Sequence, residues 1–186
     1  MITLQEKYYL IRKELKSIES HNPIAILQMM ANKEYISMHG PEHHFLDGAC
    51  FLVAYCNKTN NNKIEEYLDE LEKRTIKMPG AMCGYWGVCG SVTSLGAALS
   101  IINDVSPLTN SDFYSHNMEF ASRVIKKMSE IGGPRCCKRN AFLSLEEAVK
   151  FVNEKYEVML EDEKANCKHS KINKQCIGNK CPFYNL

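Results

Sequence analysis

Four groups of residues in this chain combine side chains that can bind metal, move protons or act as nucleophiles. The last of them reads Cys167-Lys168-His169, then Cys176-Ile-Gly-Asn-Lys-Cys181-Pro182-Phe183. Three thiols and an imidazole so close together are the soft donors that hold zinc. Three thiolates beside a Cys-Pro pair equally suit an iron–sulfur cluster. The spacing Cys-x8-Cys-x4-Cys matches neither the common zinc-finger patterns nor the ferredoxin run, so donor type indicates a metal and leaves its identity open. One more ligand completes the set, either His169 or a thiol from elsewhere in the chain. The bland alternative is free thiols on a flexible tail.

The second group is Cys83-Gly-Tyr-Trp-Gly-Val-Cys89-Gly90, running directly into an apolar stretch from Ser91. A thiol at a helix N-terminus feels the positive end of the dipole, which favours thiolate. Unpaired N–H groups there also attract anions. The alternative is a tight glycine-rich loop with two structural cysteines, and Trp86 could wall a pocket. The third group, Gly132-Gly-Pro-Arg135-Cys136-Cys137-Lys138-Arg139, sets three cations around adjacent thiols. Arg and Lys favour thiolate, hence a nucleophile or metal ligand, although a solvated basic turn would look the same. The fourth group is His39-Gly-Pro-Glu42-His43-His44. If Pro41 opens a helix, Glu42, His43 and His44 occupy its exposed first turn as ligands or acid–base groups, with His39 converging from outside. Asp47 and Cys50 could share the face of His43. Cys50 and Cys56, set among Leu46, Ala49, Leu52 and Val53, read as small core residues.

These groups need a scaffold, and the scaffold reads as helical. Leu4, Tyr8, Ile11, Leu15 and Ile18 follow a Thr3-x-x-Glu6 capping box. Asn22-Pro23 opens a helix to Ala31, and Pro41 opens another to about Cys56. Ile64, Tyr67, Leu68 and Leu71 mark an exposed amphipathic helix. Ser91–Asn103 is apolar nearly all round and reads as a central buried helix. Tyr114, Met118, Ala121, Ile125 and Met128 form one more, ended by Gly132-Gly133-Pro134, and Ser144-x-x-Glu147 caps the last. Met29, Met30, Met118, Met128 and Met159 read as core filling. The expected fold is all-α, six or seven helices over residues 1–160, followed by a Cys-rich tail, 161–186, that metal orders.

Composition narrows the function. Lys and Arg number 23 against 22 Asp and Glu, a net charge of +1, which excludes the basic footprint of a dedicated nucleic-acid binder. The longest apolar run, Val92–Ile102, falls short of the ~20 residues of a membrane span. The first twenty residues are too charged for a signal peptide, so a cytoplasmic protein is expected. Nine cysteines, an odd count without that signal, favour metal ligands or reactive thiols over a disulfide framework.

The blocks His39-Gly-Pro-Glu-His-His44, Gly80-Ala-Met-Cys-Gly84 through Gly87-Val-Cys-Gly90, Gly132-Gly-Pro-Arg-Cys-Cys-Lys-Arg139 and Cys176-Ile-Gly-Asn-Lys-Cys-Pro-Phe183 resemble a family of uncharacterised cysteine-rich domains from anaerobic bacteria and archaea. Members of that family also occur joined to methyltransferase or radical S-adenosylmethionine modules. The resemblance implies an oxygen-sensitive protein without assigning a reaction.

The combined expectation is a metal-binding protein, preferably iron–sulfur, acting as an enzyme in sulfur or redox chemistry of a small molecule. Cys83, Cys89, Cys136 and Cys137 would line one pocket, with Arg135 for an anion and His39, Glu42, His43 and His44 as ligands or proton carriers. Cys167, Cys176, Cys181 and His169 would hold metal in the tail. The alternative is a zinc-structured binding or carrier module serving a methyltransferase or radical S-adenosylmethionine partner.

Overall fold

A computed structural model describes residues 2–185. Among them lie eight α-helices: α1 (Leu4–Leu15), α2 (Pro23–Met30), α3 (His43–Thr59), α4 (Ile64–Thr75), α5 (Met82–Tyr85), α6 (Gly90–Ile102), α7 (Asp112–Ile131) and α8 (Cys137–Tyr156). The fold is all-α, with a single 3-10 turn, Gly178–Lys180, and an isolated bridge between Cys167 and Tyr184. Seven helices coincide with the periodic segments of the sequence. The additional one, α5, is a single turn too short to carry a period. None of the helices is long and apolar enough to cross a membrane.

The local start signals work where both partners of a cap are free. Thr3 and Glu6 form the reciprocal box that opens α1, and the Asn22 side chain accepts from the N–H groups of Ile24 and Ala25. The box expected at Ser144 does not form. Ser144 lies inside α8 and donates to the Asn140 carbonyl at 2.8 Å, while Glu147 pairs with Lys127 on α7. The helix starts a full two turns earlier, with Cys136 as N-cap and its sulfur accepting from the Arg139 N–H.

The centre of the domain is α3, not α6. α3 packs against α1, α2, α4, α6 and α8, and 13 of its residues are buried. α6 is covered on the side carrying Val92, Leu95, Ala98 and Leu99, and leaves Gly96 and Ala97 half-exposed. Cys50 and Cys56 are core residues of α3, as expected, and burial pushes both thiols up. The methionines divide: Met30 is buried and Met128 packs half-buried against the core, whereas Met29, Met118 and Met159 are exposed. The tail joins the same core, with Phe183 buried and its ring 5.3 Å from that of Phe142.

Candidate functional site

Three helices, α3, α6 and α8, begin around one cavity of about 300 Å³. Its wall carries His39, His43, His44, Asp47, Cys83, Cys89, Arg135 and Cys137, contributed by three of the four groups read from the sequence. Cys89 is the N-cap of α6, and Cys137 the first residue of α8. Cys83 comes from the short α5. Ala81, Cys83, Cys89 and Arg135 also line a wider cleft of about 500 Å³ that runs on past Tyr85, Ile125 and Gly132. Arg135 is exposed at the junction of the two spaces, placed to meet an anion entering from solvent.

The first turn of α3 is buried rather than exposed, because the chain before it folds over it. Glu42 accepts from Lys7 Nζ at 2.8 Å and from the Ser37 N–H at 2.7 Å. Burial alone would raise its carboxyl, but these bonds outweigh it and hold the pKa at about 2. A carboxylate so held does not shuttle protons near neutral pH, and it does not line the cavity. A Cβ on Gly40 would meet the Glu42 carboxylate at 2.1 Å, so the glycine admits this packing. His43 Nε2–H donates to the Ser37 carbonyl at 3.2 Å, and its Nδ1 faces Asp47 Oδ1 at 3.4 Å. His39 is engaged at both nitrogens: Nε2–H donates to Asn173 Oδ1 at 3.2 Å, and Nδ1 accepts from the Cys137 N–H at 3.5 Å.

Among the described residues, two that line the cavity each keep one buried polar atom without a hydrogen-bond partner, Asp47 Oδ2 and His44 Nδ1. Asp47 is fully buried and His44 nearly so. Such atoms are costly to bury alone, and their residues share the cavity with three thiols. Asp47 lies outside the motif blocks and shares the face of His43, as its spacing suggests. Its side chain points inward because it follows His43 by one helical turn. His44 lies close against Gly90, where a Cβ would stand 2.1 Å from its ring.

The adjacent thiols Cys136 and Cys137 do not share this pocket. Extended backbone at Cys136 gives way to helix at Cys137, which turns consecutive side chains apart. Cys137 faces the cavity, and Cys136 faces the tail, where it lines a much smaller cavity with Cys167, His169, Cys176 and Cys181. Lys138 and Arg139 do not form a solvated basic turn either. Both are buried: Lys138 Nζ donates to the carbonyls of Ala31 and Ser37, and Arg139 Nη2 to those of Gly132 and Pro134. Arg135 is the one exposed cation of this block on the cavity wall, and burial outweighs it at Cys89 and Cys137, which are not poised as thiolates. Burial pushes Cys137 up to about 12 and raises Cys89, although Asn140 donates to Cys89 Sγ at 3.3 Å and opposes the shift. Trp86 projects into solvent and walls neither space. Among the described residues no three His, Cys, Asp or Glu side chains stand grouped at metal-ligating distance. The structure shows donors converging on two cavities, not preformed coordination.

No curated protein and no solved structure matches the chain. One family profile does, over residues 11–184, which takes in every helix from the latter part of α1 onward and the whole cysteine-rich tail. The chain belongs to the family of unknown function DUF5714.

Proposed function

We propose that this protein is a metal- and thiol-dependent enzyme that acts on a small anionic molecule in sulfur or redox chemistry, with an iron–sulfur cluster in the pocket. The observation that carries the proposal is the meeting of Cys83, Cys89 and Cys137 with Asp47 and His44, each of which keeps one buried polar atom unpaired, around one 300 Å³ cavity. Three thiols are one short of a cluster's usual four. Asp47 or His44 can supply the fourth position, or leave it to substrate. The starts of three helices favour the negative charge that thiolates and cluster would bring. Metal also resolves the raised thiols, since ligation requires deprotonated sulfur and releases the protons. Arg135 orients the anion at the mouth of the cleft. His43, tied to Asp47 on the cavity wall, would carry protons.

The test is purification without oxygen, followed by iron and acid-labile sulfide analysis. Iron and sulfide should be present and should fall together in Cys89→Ser and Cys137→Ser, while the tail variant Cys176→Ser retains them. A protein with neither iron nor sulfide refutes the proposal. The exposed Tyr85 and Trp86 beside Cys83 favour a second reading, a zinc-structured carrier docking on a methyltransferase or radical S-adenosylmethionine partner. A colourless protein containing only zinc would support it.

A further inference from the structure

The smaller cavity carries an assignment of its own, independent of the pocket. Cys136, Cys167, Cys176 and Cys181 all line it, one thiol from the N-cap of α8 and three from the tail. Three N–H groups already point at sulfur: Arg139 N–H and Asn173 Nδ2–H at Cys136 Sγ, and Gly178 N–H at Cys176 Sγ, each at 3.5 Å. Bonds of this kind orient and stabilise metal-bound thiolates.

The charges around the cavity point the same way. Lys138 and Arg139 line it, are 1% and 5% exposed, and among the described residues make no ion pair with a carboxylate. Arg139 Nη1 has no partner at all. Burying two cations whose only hydrogen-bond partners are carbonyl groups is expensive. A divalent ion with four thiolates carries a net charge of minus two, which would balance them. Size selects the occupant: the cavity measures about 20 Å³, enough for roughly one water-sized sphere. A single ion matches so small a space better than an eight-atom cluster does. The geometry points to a mononuclear tetrathiolate zinc site formed by Cys136, Cys167, Cys176 and Cys181. Among the described residues the four thiols line one cavity without standing at ligating distance, so the ion itself would draw them together. Four thiols complete this set without His169, which is half-buried on the same wall. Asn173 then links the two centres, since it donates to Cys136 and accepts from His39, which holds the Cys137 N–H.

The experiment uses the full chain with Cys83, Cys89 and Cys137 replaced by Ser, so that the pocket reading can fail without touching this one. That protein should bind one zinc per chain, contain no acid-labile sulfide, and show four sulfur neighbours at about 2.3 Å by X-ray absorption. Adding Cys136→Ser should weaken zinc by more than the roughly 10–100-fold of an outer-shell change, whereas His169→Ala should leave it within that range. Serine is a good N-cap, so α8 should survive, and circular dichroism checks this. Should Cys136→Ser still unfold, the absorption spectrum of the parent decides by itself. Three sulfurs and a nitrogen, a sulfide-containing cluster in the tail, full zinc retention in Cys136→Ser, or no zinc at all would each overturn the assignment.

Discussion

Replacing Glu42 by Gln separates a structural carboxylate from a catalytic one. The carboxyl is 1% exposed and is held by Lys7 and by the Ser37 N–H, which lower its pKa from 4.5 to about 2 against the opposing effect of burial. At about 1.4 kcal/mol for each factor of ten, and with some screening of the partly exposed Lys7, the carboxylate contributes about 2–3 kcal/mol to stability at neutral pH. Because the folded pKa is the lower one, that contribution is whole above the unfolded value. It disappears as pH falls through the folded value, between about pH 5 and pH 2. Glu42→Gln keeps the shape and loses the charge. In urea titrations it should be less stable than the parent by about 2–3 kcal/mol near pH 7, and the two should converge in acid. The difference between the curves isolates Glu42 from other carboxylates and from thiols that reprotonate. A gap that stays constant with pH would refute the reasoning. So would equal stability at neutral pH combined with lost activity, the signature of an acid–base residue.

Gly90→Ala places a methyl group within the His44 ring, so it should expel His44 from the cavity and destabilise the fold by about 1–3 kcal/mol. Thermal unfolding and the His44 imidazole resonances would show both effects. Phe183→Ala removes the ring that packs on Phe142 and should cost about 3–5 kcal/mol, read as earlier unfolding and faster proteolysis after Asn166. In metal-free folded protein, iodoacetamide should modify Cys83, at the edge of the cavity, before the core thiols Cys50 and Cys56. Mass spectrometry of peptides after short exposure gives the order.

Much of the helical framework was legible because its causes are local. The periods of α1, α4 and α7, the Thr3 box and the Asn22-Pro23 start depend on residues within one or two turns. The four chemistry-bearing groups were legible by residue type, since clustered Cys and His are uncommon and their donor properties are intrinsic. Local patterns misled where a distant residue competed for the same atoms. Glu147 went to Lys127 across the α7–α8 contact, so the Ser144 box never formed. Glu42 went to Lys7, 35 residues earlier in the chain, so an apparent acid–base group became a buried strut.

The partition of the sites belongs to tertiary structure alone. Cys136 and Cys137 are neighbours in sequence, yet a cap residue and the first helical residue diverge, and the packing of the tail on α8 decides what each one meets. Asp47 gained its place only when three helix starts met around it. Lys138 and Arg139 look like solvent-facing cations in any linear reading, because charge carries no information about burial until the elements around it are packed. Local propensity could specify which donors the chain owns. Which donors share a cavity depends on long-range packing, and that packing moves Cys136 from the expected pocket to the cavity lined by the tail.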